Sequence, residues 1–236
     1  MKKLFPMLLL CLMLWSTSAM ASMVVVTADS NIGYSTNNPF FSNVFSDQTV
    51  LATSTDWLLL NHVTSVSAYA TSLTYNTNVL TSALLSAYDW VMLSGSNFLD
   101  NFERAAVVDY VLGGGNLWLV GEYDYWDNYN AEVNNTLVAL GSSIRLLLDV
   151  TSAYGEVTTT DITPDPLTAG LDGYAVGTAG ALTGGNILAY IDQDVARYGV
   201  LSYETYGTTT VPEPSSFVLA ALGLLGLVGL RRKLRD

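Results

Sequence analysis

One cysteine and one histidine are all that this 236-residue chain contains of either type. They cannot supply the four ligands of a structural zinc site, and a lone cysteine cannot build a disulfide framework. Positive charge is almost as scarce: 9 Lys and Arg stand against 21 Asp and Glu, a formal net charge of −12. A nucleic-acid binder needs a basic face to neutralise phosphates, so that class is excluded. Charged residues are only 13% of the chain, whereas hydrophobic residues are 50%. That much apolar material buries a core and argues against wholesale disorder. The length suits one domain, two at most.

What is present is most specific at the two ends. Lys2 and Lys3, the apolar run Leu4 to Trp15 and the small-residue site Ala19-Met20-Ala21 follow the order of a secretory signal peptide. Segment 1–21 is expected to be removed by signal peptidase after Ala21, leaving Ser22 as the first mature residue. Cys11 lies inside this segment, and Leu8-Leu9-Leu10 lacks the small residue that precedes a lipoprotein cysteine. The mature chain is therefore expected to hold no cysteine. The other end, 211–236, runs Val211-Pro212-Glu213-Pro214, then an apolar helix over 215–230, then a basic tail over 231–235. Phe217 to Leu230 is short of the roughly 20 residues that span a bilayer. Flanking serines and snorkelling arginines would stretch it as a short transmembrane helix. The cationic end should stay cytoplasmic, which puts residues 22–210 outside the inner membrane.

The order Pro212-Glu213-Pro214, apolar helix, arginine cluster closely resembles the PEP-CTERM sorting signal of Gram-negative bacteria. That resemblance implies recognition by exosortase, a membrane protease-transpeptidase, near Val211, Pro212, Glu213 and Pro214. It implies a protein exported across the inner membrane, anchored there by its C-terminal helix, and then delivered to the cell surface or beyond. The hosts implied are bacteria that make exopolysaccharide and form biofilm, so exopolysaccharide is a candidate partner in an extracellular matrix.

The exported body, 22–210, alternates apolar runs with polar loops. Met23 to Thr27 is an apolar β-branched run suited to a strand buried on both faces. Asn38-Pro39 offers an N-cap and an N1 proline for a helix to about Phe45. Gln48 to Ala52 reads as a short strand. Residues 56–88 are ambiguous: Val63 to Ala70 alternates weakly like a strand, and Val79 to Leu85 reads as a short helix. The clearest stretch is a strand at Trp90 to Leu93, a helix from about Leu99 to Leu112, a stop at Gly113-Gly114-Gly115 and a strand at Asn116 to Val120. Strand, helix, strand with short links is a βαβ unit and predicts a parallel sheet. A helix follows at about Asn130 to Leu140, and later residues read as short strands, best at Ile187 to Ile191 and Tyr198 to Tyr203.

On these residues the body resembles the flavodoxin-like fold of class I glutamine amidotransferase-like domains. The resemblance rests on Val24 to Ser30, Tyr88 to Leu93, Val108 to Gly121, Asp165 to Leu171 and Tyr198 to Leu201. It implies a three-layer α/β domain with a mainly parallel sheet. The chain departs from that family at its chemistry. The body has no nucleophilic cysteine, its only histidine is His62, and Gly121-Glu122-Tyr123 stands where the Gly-x-Cys-x-Gly elbow would be. A carboxylate there lacks the base and oxyanion hole of an acyl-transfer site. The domain is therefore expected to be non-catalytic.

Ligands of open parallel sheets bind beyond the carboxyl ends of the strands. The residues placed there are Asp29 and Ser30, Ser94 and Asn97, and Glu122, Tyr123, Asp124, Trp126 and Asp127. The segment 122–130 interleaves acids and amides with aromatics. Aromatic faces stack on sugar C–H faces and carboxylates accept from sugar hydroxyls, so glycan is one candidate ligand. Calcium is another, although the spacing is not that of an EF-hand loop. The third reading is a solvated loop whose aromatics pack on the domain. The alternative from another class is a secreted hydrolase acting on polysaccharide or peptide through carboxylates such as Asp29 and Glu122. Gly113-Gly114-Gly115 lacks the Gly-Lys-Ser/Thr of a phosphate loop and follows a helix, so it reads as a helix stop. Asn134-Asn135-Thr136 fits a glycosylation sequon.

Charge divides unevenly between ends and body. Lys2, Lys3, Arg231, Arg232, Lys233 and Arg235 all lie in the terminal segments, leaving Arg104, Arg145 and Arg197 as the only cations of the body. Only Glu213 and Asp236 leave with the ends, so 3 cations face 19 acids, a net charge of −16. An exported surface this anionic should resist polyanions and tolerate neutral glycans or cations.

Overall fold

In the computed structural model, residues 21–53, 63–76, 78–94, 98–193 and 196–207 are described. Residues 1–20 of the expected signal peptide, His62, Asn97 and the whole sorting segment 211–236 lie outside the described residues. Among the described residues no helix is long and apolar enough to cross a membrane.

The apolar run at the start of the body becomes strand β1, Ser22–Thr27, buried along nearly its whole length. Helix α1, Asn38–Phe45, carries its proline in the first turn, and its apolar Phe40, Phe41, Val44 and Phe45 are all buried. Its N-cap is Asn37 rather than the expected Asn38, and a 3-10 turn at Ser35–Asn37 precedes it. Asn37 does not cap through its side chain, because its amide is engaged elsewhere: it donates to the carbonyls of Ile32 and Ala175 and accepts from the Ala175 N–H. Strand β2 is Thr49–Ala52. Residues 63–67 are helical, not the strand suggested by weak alternation, because Val63 and Val66 bury one face at helical spacing. Strand β3, Ser72–Tyr75, and the one-turn helix α2, Ser82–Leu85, follow.

The βαβ unit forms as the sequence predicts. Strand β4 is Trp90–Ser94, helix α3 is Asn101–Leu112 and strand β5 is Asn116–Val120. Asp100 caps α3 by accepting from the Phe102 and Glu103 N–H groups, and Glu103 accepts in return from the Asp100 N–H. This capping box satisfies donors that the first turn would leave open. At the other end Gly114 takes φ 106°, a left-handed conformation that costs glycine little. Helix α4, Asp127–Ala139, begins three residues earlier than the sequence suggested. Its Asn134 amide is engaged in both directions with the Leu146 backbone, so the sequon asparagine is committed to structure.

The remaining chain supplies β6 (Arg145–Leu147), β7 (Val157–Thr159), β8 (Tyr174–Val176), β9 (Ala181–Thr183), β10 (Asn186–Gln193) and β11 (Ala196–Tyr206). Nine strands form one sheet in the order β3-β2-β4-β5-β1-β11-β9-β6, with β10 also paired to β11, while β7 and β8 form a separate pair. Successive residues of the central strands enter opposite layers. Val25, Trp90, Met92, Trp118 and Val120 pack with α1, whereas Val24, Val26, Val91, Leu93, Leu117 and Leu119 pack with α3 and α4. Helices thus cover both faces, the arrangement that parallel strands require.

Two expectations need correction. The sheet is not mainly parallel: β1 to β5 run parallel, but β11, β9, β10 and β6 are joined antiparallel. The 2-1-3-4-5 order of a flavodoxin-like sheet is also not the order found. Here β1 sits between β5 and antiparallel β11. The reason lies in the late hairpin: the long strand β11, buried at its centre over Gly199 to Ser202, takes the place beside β1 that a parallel neighbour would occupy.

This pairing has a geometric consequence. Ser22 lies opposite Tyr206, so the body's chain enters and leaves at one pole of the sheet. The carboxyl ends of β1, β4 and β5 lie at the other pole, because all three run the same way.

Candidate functional site

The register of β1 against β5, ending at Thr27 opposite Val120, sets the loops that begin at Ala28 and Gly121 side by side. Asp29 and Glu122 enter this junction, and both are almost completely buried, at 0% and 2% exposure. Ser30 Oγ donates a hydrogen bond to Glu122 Oε1 and is itself fully buried. Asp29 accepts from the Asn31 N–H at 2.8 Å and from the Gly177 N–H at 2.5 Å. The Tyr123 N–H donates to the second Glu122 oxygen at 3.3 Å. Gly180 closes the junction from β9's side: its N–H donates to the Ala28 carbonyl, and a Cβ there would stand 2.3 Å from the Glu122 carbonyl oxygen. Only glycine lets the backbones approach so closely.

Burial dominates the electrostatics. It pushes Asp29 up to about 6, against the opposing pull of its hydrogen bonds from Asn31 and Gly177. Burial likewise pushes Glu122 up to about 7, and the nearby charge of Asp29 adds to the rise. Tyr174, whose hydroxyl is buried without a hydrogen-bond partner among the described residues, is also raised, first by burial and then by the charge of Asp29. Two neighbouring acids held against ionisation are a feature of many functional sites, but also of structural networks. Here the acids are satisfied from within the protein and are closed to solvent.

Ser94 ends β4 opposite Val120 and is likewise buried. It helps line a cavity of about 10 Å³ with Leu93, Leu99, Leu119, Glu132, Val133 and Thr136. That is room for about one water. Asn97 lies outside the described residues.

The other candidates lie on the surface. After Glu122 the chain makes a 3-10 turn at Asp124–Trp126 and runs into α4. Here Tyr123, Trp126 and Asp127 are half-buried, and Asp124 and Tyr125 are exposed, Tyr125 at 73%. Tyr123 stacks on Tyr125 with ring centroids 6.2 Å apart. Tyr125 meets Trp126 edge-on at 5.1 Å, and Trp126 stacks on Tyr129 at 5.1 Å with 8° between the planes. Phe98, arriving from the loop after β4 and 59% exposed, extends the series against Tyr129 at 5.7 Å. The five rings form an aromatic shelf at the pole opposite the body's chain ends. Asp127 Oδ2 accepts from the Asp149 N–H at 2.9 Å and ties the turn to the neighbouring loop.

The candidate residues therefore divide in two. Asp29, Ser30, Ser94 and Glu122 are buried supports, and Tyr123, Asp124, Trp126 and Asp127 sit on the shelf. Phe98 and Tyr129 belong to the shelf and were not among the candidates read from the sequence. Tyr129 lay within the aromatic-acid segment, but Phe98 is joined to it only by the adjacency of the β4 and β5 loops. Among the described residues no three His, Cys, Asp or Glu side chains converge as a cation site.

A comparison with protein families matches residues 210–233 to the PEP-CTERM protein-sorting motif. Neither the curated proteins nor the solved structures yielded a match. The chain carries a PEP-CTERM protein-sorting motif, which marks it as an exported protein that is anchored at its C-terminus before exosortase sorts it.

Proposed function

We propose that the protein is a non-catalytic component of the cell envelope or extracellular matrix that holds neutral polysaccharide on its aromatic shelf. The observation that carries this reading is the run of five adjoining rings, Phe98, Tyr123, Tyr125, Trp126 and Tyr129, left at the surface of the body. Rings that pack in a core are hidden; here Phe98 and Tyr125 are exposed and the other three are half-buried. Asp124, exposed beside them, supplies an acceptor for hydroxyl groups, while Asp127 is turned to the Asp149 backbone. The anionic body repels acidic polymers and leaves neutral ones unopposed. Calcium is the weaker ligand in this reading, because an ion site needs several oxygens converging on one point.

Binding of the full chain to hydroxyethyl cellulose in affinity electrophoresis tests the reading. Tyr125→Ala is expected to weaken retention about tenfold, on the order of 1.4 kcal/mol, while leaving the fold intact. Unchanged retention would remove the shelf as the binding surface. The alternative, a hydrolase acting through carboxylates, draws its support from the raised Asp29 and Glu122. Release of reducing ends by the wild type, abolished in Glu122→Gln, would establish it in place of the binding reading.

Sorting has its own experiment. Replacing Pro212, Glu213 and Pro214 with alanine is expected to hold the protein in the inner-membrane fraction and lower its release at least tenfold. Release at the normal level would show that these residues are not what exosortase reads.

A further inference from the structure

We propose that Asn130 is the positioning residue of the aromatic shelf: its side-chain amide closes the base of the 122–130 loop and sets the rings in place. The use of that closure rests on the glycan reading above; its geometry does not. Residues 122–130 leave β5 and return in the first turn of α4 with no strand pairing of their own. Something must therefore satisfy the backbone where the loop starts. Asn130 is fully buried, and its Oδ1 accepts from the Glu122 N–H at 2.9 Å while its Nδ2 donates to the Glu122 carbonyl at 2.7 Å. One side chain thus takes both backbone groups of one residue, as a neighbouring strand would.

The surroundings suit this exchange. A Cβ on Gly121 would come within 3.1 Å of Asn130 Oδ1, and one on Gly180 would strike the Glu122 carbonyl. The amide therefore reaches its partners only because the adjoining positions are bare. Tyr123, Tyr125, Trp126 and Tyr129 all lie between the two closed ends, and Asp127 adds the midpoint tie to Asp149. Rings held in order before a ligand arrives lose less freedom on binding it. The closure demands an amide: aspartate keeps the acceptor and loses the donor, and alanine loses both.

The test compares Asn130→Ala and Asn130→Asp with Val133→Ala, a buried position on the same helix that packs in the opposite layer from α1. Amide exchange over 122–130 in the full chain is the primary reading. Asn130→Ala is expected to speed it at least tenfold, and Asn130→Asp by a smaller factor. Val133→Ala should lower Tm yet leave exchange in that loop within twofold. Hydroxyethyl cellulose retention should fall about tenfold in Asn130→Ala and less than twofold in Val133→Ala. Unchanged loop exchange in both Asn130 variants, or an equal rise in Val133→Ala, overturns the closure. Faster exchange in the Asn130 variants with wild-type retention in Tyr125→Ala would keep the closure and discard the glycan reading.

Discussion

Trp118→Ala is expected to lower the unfolding free energy of the body by about 3–5 kcal/mol, the range for emptying a large aromatic from a core. Trp118 sits at the centre of β5, fully buried, with its ring between the sheet and α1. Phe41 stacks on it at 6.0 Å and 14°, while Phe40 and Phe45 approach at 5.6 Å and 5.2 Å. Phe45 in turn meets Trp90 on the adjacent strand at 5.3 Å. Removing Trp118 leaves three phenylalanines facing a void that the rigid sheet cannot close by collapsing. Its strand neighbour Leu119 points to the other layer, so Leu119→Ala should cost less, about 2–4 kcal/mol, and leave the aromatic cluster intact. Denaturant midpoints with an unchanged m-value measure both. A Trp118→Ala loss below about 1 kcal/mol would show that the layer repacks freely.

Lowering the pH from 8 to 5 is expected to stabilise the body by on the order of 3–4 kcal/mol. Asp29 and Glu122 ionise in the folded protein near 6 and 7, above their ordinary values of 3.8 and 4.5. Between those limits the folded state binds more protons than the unfolded state, so stability falls as pH rises. The stabilising contribution is full below the ordinary carboxylate range and is lost as pH passes through 6 and then 7. Glu204 acts in the opposite sense. Its carboxyl is held below the ordinary value by donors from Ser142 and Ser143, which outweigh its partial burial. Its contribution is lost only as pH falls through that lowered value, so a window from 5 to 8 reads mainly Asp29 and Glu122. Thermal unfolding across this window should show Tm rising toward acid, and Glu122→Gln should flatten most of the slope above pH 6. A Tm that rises with pH would show that the two acids are not the controlling groups.

Much of the architecture was legible because it is local. The βαβ unit at 90–120 needs only strand-type runs, a helix-length interval and Gly113-Gly114-Gly115, all within one stretch of chain. The proline in the first turn of α1 works the same way. Where the sequence misled, a non-local partner decided. Asn37 and not Asn38 takes the N-cap position of α1, and it gives no side-chain cap because Ala175, far along the chain, claims its amide. Val63 to Ala70 offered too weak an alternation to distinguish a helical face from a strand.

The candidate site divides along the same line. Its residue types and their place after the strands could be read from the sequence, and so could the sorting motif, whose meaning lies in linear order alone. The burial of Asp29, Ser30 and Glu122 could not, because it depends on β1 pairing with β5 and on Gly180 closing over them. Nor could the joining of Phe98 to Tyr129, which needs the β4 and β5 loops to be neighbours. The sequence by itself determined that this chain carries an address for export and sorting, an acidic body and a parallel α/β segment. The tertiary structure alone decided which acids became buried supports and which aromatics became surface. Strand order is a contest among all apolar segments for the same sheet edges, and no single segment encodes its outcome.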